Sequence, residues 1–262
     1  MIDNRLQALW GEGRAALNGW LSIDSAHAAE IMAAQGYDSL TVDLQHGAAD
    51  ASGVLPMLQA MRASGVTPLV RVPWLEPGAI MRALDAGAHG VICPMVNSAA
   101  EAAEFVHWMR YPPQGGRSWG PFRAKLVAGE GYAEAANAGL LAIAMIETQA
   151  AMDNLEAIAA VPGLDALYIG PSDLTFSLGA GRLPPRFDPE EAEIVAAIRR
   201  ILAAAKANGL RAGLHCGSPD YAARAVGWGF DLVTVSDDAR LLSTAAAESV
   251  ARFRTLGAGG AG

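Results

Sequence analysis

The sequence predicts an α/β fold, a (β/α)8 TIM barrel, on three observations. Eight short apolar runs alternate with longer amphipathic segments, and glycines close many of those segments. Carboxylates, an arginine and a histidine stand where the apolar runs end. At 262 residues and 52% hydrophobic, the chain can bury a large core, and barrels of this class run to about 250 residues. We expect one barrel domain over 1–256. The last six residues, 257–262, contain only Gly and Ala and are expected to be a flexible tail.

The elements follow in order. The first strand is expected at 18–22 and its helix at 25–34, closed by Gly36. The second strand is placed at 39–44, followed by a helix over 52–64 and Gly65. The third occupies 68–72, with a helix at 78–86 and Gly87; the fourth spans 90–93, with a helix at 98–110. The fifth, 140–146, leads to a helix at 150–160, and the sixth covers 166–169. A long helix at 189–208 and Gly209 precede the seventh strand at 211–214. A helix at 220–227, the eighth strand at 232–235 and a final helix at 237–256 complete the set. Short continuous apolar runs bounded by turn residues fit strands buried on both faces, and Gly just past a helix end fits a left-handed cap. A doubly wound sheet would usually stop at five or six strands, and no glycine-rich dinucleotide loop follows the first one. The only long irregular stretch, 111–137, holds Pro112-Pro113 and Gly115-Gly116; its length suggests a binding loop or interface segment.

Composition excludes several classes. A net charge of −8 with no basic run argues against nucleic acid and anionic membrane surfaces as partners. No apolar run approaches the roughly 20 residues of a membrane span, and Met1-Ile2-Asp3-Asn4-Arg5 lacks the pattern of a signal peptide. Cys93 and Cys216 lie inside apolar runs without metal-ligand spacing, as expected of buried thiols in a reducing compartment. A cytoplasmic protein is expected.

Function is read from the strand ends, where barrel enzymes carry their chemistry. The fifth strand ends at Glu147, and the sixth is followed by Gly170-Pro171-Ser172-Asp173. Two acids at consecutive strand ends converge at the mouth, and Mg²⁺ takes one or two carboxylates while keeping places for water and substrate. The bland alternative is two helix N-terminal acids favoured by the macrodipole. Gly170, Pro171 and Ser172 resemble a helix start whose free N–H groups would hold a substrate carboxylate. His46, three residues after Asp43 and before Gly47, is a general-base candidate. Arg71 sits in an apolar run, where it is either paired with a strand-end acid or clamps an oxygen that becomes an enolate. Asp85 lies near a helix C-terminus, disfavoured by the dipole, so it should have a specific partner, His46 or Arg71. Trp20 and Leu214 would wall the same mouth, with ordinary packing as the alternative. His27, His107 and His89 receive no role, and His215 is left open.

Together, Asp43-Leu44-Gln45-His46-Gly47, Val70-Arg71-Val72-Pro73-Trp74, Leu84-Asp85-Ala86-Gly87, Tyr111-Pro112-Pro113, Ile146-Glu147-Thr148 and Ile169-Gly170-Pro171-Ser172-Asp173-Leu174 resemble the HpcH/HpaI aldolase family of metal-dependent class II pyruvate aldolases. The resemblance runs from about 19 to 237. It implies Glu147 and Asp173 as metal ligands and His46 as base. It also implies Arg71 as transition-state stabiliser, Asp85 as the group raising the basicity of His46, and the Ser172 backbone as carboxylate holder. It further implies hexamers, trimers of dimers with a C-terminal helix exchanged between neighbours. One departure is Met145, where some members carry a substrate-contacting Gln. The segment 116–124 looks like one subgroup's loop near the aldehyde pocket, which makes Arg117 and Arg123 candidate substrate contacts.

The expected activity is therefore reversible aldol addition and cleavage between a 4-hydroxy-2-oxo acid and pyruvate, or a related 2-keto acid, plus an aldehyde. The expected cofactor is a divalent cation, Mg²⁺, Mn²⁺ or Co²⁺. No lysine stands at a strand end as a Schiff-base nucleophile should. Two alternatives are a C–C lyase acting on an acyl-CoA, as in the citrate-lyase and malyl-CoA-lyase branch, and a barrel that binds a keto acid without turnover.

Overall fold

The computed structural model describes residue 2 and residues 4–258. Eight strands close into an all-parallel barrel in sequence order: β1 Ala16–Leu21, β2 Ser39–Asp43, β3 Thr67–Arg71, β4 Gly90–Cys93, β5 Leu141–Ile146, β6 Ala166–Ile169, β7 Arg211–Cys216 and β8 Leu232–Val235. Every expected strand is present within two residues at each end. Several helices begin just past a strand on a side chain that accepts an otherwise orphaned N–H. Ser25 accepts from Ala28, Ser98 from Glu101, Thr148 from Ala151 and Ser218 from Tyr221. Each such cap contributes about 1 kcal/mol.

Side chains alternate across the strands, so two apolar regions form. One lies between strands and helices and takes Val42, Val70, Ile169 and Leu214, among others. The other fills the barrel with Leu69, Ile92, Ile143 and Tyr168. Its floor is closed by a helix the sequence reading missed, Arg5–Gly11, whose Leu6, Leu9 and Trp10 plug the barrel from below. Seven residues give too short an amphipathic pattern to be told from an irregular leader.

Four further differences have local causes. The 111–137 stretch is not wholly irregular, since helices Phe122–Ala128 and Tyr132–Gly139 occupy it and its end. The helix expected at 150–160 breaks at Asn154 into Gln149–Asp153 and Leu155–Ala159, where the Asn154 amide reaches back to the Asn97 and Ala150 carbonyls. The helix expected at 52–64 is α-helical over Val54–Ala60 and tightens to a 3-10 turn over Met61–Ser64. The last helix, Asp238–Ala258, runs two residues into the expected tail; the remaining tail residues, 259–262, lie outside the described set.

That last helix does not cover the barrel. All side chains from 239 to 256 are exposed, including Leu242 and Phe253. Where a flanking helix would sit over β8 and β1, there is instead a groove of about 510 Å³. It is walled by Leu17, Tyr37, Ala222, Val226, Val233 and Val235. No helix among the described residues is long and apolar enough to cross a membrane.

Candidate active site

A cleft of about 190 Å³ opens at the carboxyl ends of the strands, with Trp20, Asp43, His46, Arg71, Glu147, Gly170, Pro171, Ser172 and Asp173 in its wall. The strand-end reading thus brings together nine of its residues in one place.

Arg71, the last residue of β3, is clamped by Asp43, the last of β2, at the same register level. Its Nε donates to Asp43 Oδ1 at 2.9 Å and its Nη2 to Oδ2 at 2.7 Å. Asp43 also accepts from the Trp20 indole at 3.2 Å and from the Gln45 and His46 backbone N–H groups at 3.0 and 3.3 Å. Burial alone would raise the Asp43 pKa, but the Arg71 hydrogen bonds and charge, with help from Gln45 and Trp20, hold it below its ordinary value. Arg71 is therefore ion-paired with Asp43, the first alternative, and its side chain lines the cleft. Its guanidinium also lies 4.9 Å from the Trp20 ring centroid, so its orientation is fixed from two sides. His46 stands exposed at the rim, with its backbone turned by Asp43.

Glu147 follows β5 and is only 2% exposed. Met95, at φ 56°, turns the chain after β4 so that its N–H donates to Glu147 Oε1 at 2.8 Å. Its other oxygen faces Gly170, where any Cβ would sit 2.2 Å from Oε2; only glycine lets that carboxylate in. Burial pushes the Glu147 pKa up to about 7; the Met95 N–H opposes this, the nearby Asp173 charge adds to it, and Arg71 opposes it. Asp173 occupies the first turn of helix Pro171–Leu178, which starts after β6. A buried carboxylate with a second carboxylate charge close by is a poor arrangement for stability and a good one for a hard divalent cation. Among the described residues no cluster of three His, Cys, Asp or Glu ligands occurs. A cation here would hold two protein carboxylates and fill its other positions with water or substrate oxygen, a set that fits Mg²⁺ and Mn²⁺.

Four expected site residues lie elsewhere. Leu214 points outward into the strand–helix layer, because β7 runs on to Cys216 and its inward positions are Gly213 and His215. The wall is His215. Asp85 ends the helix Pro77–Asp85 that returns the chain to the start of β4, so it lies at the amino ends of the strands. It accepts from Arg117 Nη2 at 2.7 Å and meets neither His46 nor Arg71 of its own chain. Arg117 is wholly buried between Asp85, Tyr111 and Tyr132. Arg123 donates to the carbonyls of Ala86 and Leu58 at the same end. Sequence spacing missed these placements because the 111–137 stretch joins a helix to the foot of β5, opposite the mouth.

The cleft also contains Ser22, Met145, Phe187, His215 and Asp237, which strand-end reading did not assign to it. His215 was legible from alternation once the strand length was known. Phe187 arrives from an irregular segment that gives no periodic signal.

The model of the HpcH/HpaI aldolase/citrate lyase family matches residues 17–245. A hydroxypyruvate/pyruvate aldolase of Rhizorhabdus wittichii is 42% identical over 97% of this chain and 100% of its own length. A 4-hydroxy-2-oxo-heptane-1,7-dioate aldolase of Escherichia coli is 34% identical over 96% of this chain and 95% of its own. A crystal structure of an HpcH/HpaI aldolase/citrate lyase family protein from Burkholderia cenocepacia superposes with a TM-score of 0.86. It is 34% identical and covers 95% of this chain and 98% of that one.

Proposed function

The chain belongs to the HpcH/HpaI aldolase/citrate lyase family, and from that premise we propose that it catalyses reversible aldol addition and cleavage. Its nucleophile is pyruvate or a close 2-keto acid such as hydroxypyruvate, and the product is a 4-hydroxy-2-oxo acid. One observation carries the reading. Two carboxylates, the buried Glu147 and the exposed Asp173, line the same cleft as a guanidinium whose direction is fixed by Asp43.

Glu147 and Asp173 would hold Mg²⁺, Mn²⁺ or Co²⁺, which supplies Lewis-acid polarisation of the keto group when bound. The free N–H groups at Ser172 and Asp173, at the start of an eight-residue helix, take the keto acid's carboxylate. Arg71 directs its unused N–H groups at the keto oxygen, where charge grows as the methyl proton leaves. His46 moves that proton at the rim. The C3 carbon then bonds to the aldehyde carbon, and the new alkoxide takes up a proton; cleavage runs these steps backward. Asp85 does not tune His46 within one chain, since the two stand at opposite ends of the barrel.

The cleft's size and charge favour this over an acyl-CoA substrate. About 190 Å³ suits a keto acid with a small aldehyde, and four carboxylates line it against one arginine, a poor match for CoA phosphates. We also propose that two copies exchange the Asp238–Ala258 helix, each laying Leu241, Leu242, Val250 and Phe253 on its neighbour, within a larger oligomer such as a hexamer. The bare groove over β8 and β1 and the uncovered helix support that reading. The buried free thiols Cys93 and Cys216 fit the cytoplasm.

Chelation tests the proposal. Activity should vanish in excess EDTA and return with added Mg²⁺ or Mn²⁺, and borohydride with pyruvate should trap no adduct. Full turnover after verified metal removal would contradict it.

A further inference from the structure

Below the cleft, a chain of buried polar side chains crosses the barrel and ends at His215. Asn18 lies level with Ser39 on β2 and Thr234 on β8. Ser39 Oγ and Thr41 Oγ1 both donate to Asn18 Oδ1, at 2.8 and 3.1 Å. Asn18 Nδ2 donates to Thr234 Oγ1 at 2.9 Å. Thr234 Oγ1 lies 2.5 Å from the Tyr168 hydroxyl, which lies 3.3 Å from His215 Nδ1.

The direction of this chain is not free. Ser39, Thr41, Thr234 and Tyr168 are all fully buried, so their hydroxyl protons need acceptors. Among the described residues, Ser39 and Thr41 have only Asn18 Oδ1 to donate to. That fixes the amide with its NH₂ toward Thr234. Thr234 Oγ1, already accepting from Asn18, spends its proton on Tyr168. Tyr168 then has only His215 Nδ1 left. From Asn18 onward each donor points along the chain to His215, and each bond polarises the next.

His215 is 8% exposed and sandwiched between two rings, Phe187 stacked at 4.8 Å and Trp20 edge-on at 4.7 Å. Burial first, then the Arg71 charge, lowers its pKa to about 3, so the imidazole is neutral at working pH. With Nδ1 accepting from Tyr168, the proton sits on Nε2. That nitrogen has no protein partner among the described residues, and the imidazole lines the cleft.

We propose that His215 is a specificity-determining hydrogen-bond donor, locked as the Nε2–H tautomer by the one-way chain beneath it. It takes a hydroxyl or carbonyl oxygen of the substrate within an otherwise aromatic wall. The inference rests on the aldolase reading for the identity of that substrate, but the tautomer does not. The oxygen belongs either to a substituent on C3 of the keto acid or to the aldehyde. An apolar group at the same place would strand a buried donor, and such sites discriminate strongly.

Histidine ¹⁵N NMR on the metal-loaded enzyme without substrate, with His215 assigned by its loss in His215→Gln, reads the tautomer. The expected result is a protonated Nε2 and bare Nδ1 from pH 5 to 9, with the preference lost in Tyr168→Phe and in the near-isosteric Thr234→Val. A protonated Nδ1, or an imidazolium in that range, overturns the proposal. Two ratios then locate the oxygen: the affinity (1/Kd) for a 3-hydroxy-2-keto acid over that for pyruvate, and kcat/KM for glycolaldehyde over that for propionaldehyde. In His215→Phe one of them should fall about tenfold. His215→Gln, which carries an amide donor, should restore most of it, and Thr234→Val should lower the same ratio without touching substrate. Both ratios unchanged in His215→Phe would refute the selective role. Loss of all turnover with the keto-acid ratio and the tautomer intact would indict the aldolase reading alone.

Discussion

At the floor of the barrel, Asp38, Asp165 and Asp231 each stand one residue before a strand, ahead of β2, β6 and β8. Each accepts an N–H from the foot of the preceding strand: Leu17 at 2.9 Å, Ala142 at 2.7 Å and Ala212 at 2.8 Å. Each also meets a cation: Arg5, Arg110 and Lys206 respectively. At the mouth, burial and the Asp173 charge raise the Glu147 pKa, and Arg71 keeps N–H groups with no protein partner among the described residues. The same residue types are saturated at one end and left wanting at the other. Saturation fastens strand to strand, whereas unsatisfied charge is what a cation and a keto acid complete. Substitutions at the two ends should therefore separate stability from activity.

The largest effect is expected at the mouth. Arg71→Ala should lower kcat by about 10²–10³, and Arg71→Lys should recover little, because a point ammonium cannot reproduce the planar fork held by Asp43. Steady-state kinetics at saturating metal measure this. Near-normal rates would make Arg71 a structural partner of Asp43 and erase the contrast. His46→Ala should cost about 10²–10⁴ if it alone carries the proton, and less if solvent substitutes at the open rim.

At the floor, Asp165→Ala should cost about 3 kcal/mol of stability, because Arg110, only 6% exposed, is left without its anion. kcat should barely move. Chemical denaturation with parallel kinetics reads both, and a large loss of kcat in still-folded protein would break the division between ends.

A subtler test uses pH. With its pKa raised to about 7, Glu147 binds its proton more tightly folded than unfolded. In metal-free protein the stability contributed by Glu147 should therefore be fully present below about pH 4.5 and lost as pH rises through 7. Glu147→Gln should flatten that decline and melt above wild type at pH 8 without metal. Added Mn²⁺ should raise the Tm of wild type more at pH 8 than at pH 5, since the ligand must be ionised, and should do little for the variant. Equal metal shifts at both pH values would remove Glu147 from the ligand set.

Much of this was legible in the sequence because a parallel barrel writes its strands as apolar runs and its chemistry just after them. The positions of Glu147, Asp173, Arg71 and His46 follow from where those runs stop. Leu214 was mistaken for a wall because the run was ended two residues early, and a period of two puts neighbouring residues on opposite faces. Asp85 and Arg123 were misplaced because linear motifs do not say which end of the barrel a helix-to-strand connection occupies. The chain from Ser39 and Thr41 through Asn18, Thr234 and Tyr168 to His215 was hidden for another reason: its members sit on five strands, and only register brings them together.

The central claim is that the mouth enolises a keto acid with Arg71 and a divalent cation acting together. Hydrogen–deuterium exchange at the methyl group of pyruvate, without any aldehyde, tests it most directly. The account predicts rapid exchange with Mg²⁺ or Mn²⁺, none above background after metal removal, and a loss of about 10² or more in Arg71→Ala. Undiminished exchange in metal-free wild type, or in Arg71→Ala, would contradict it.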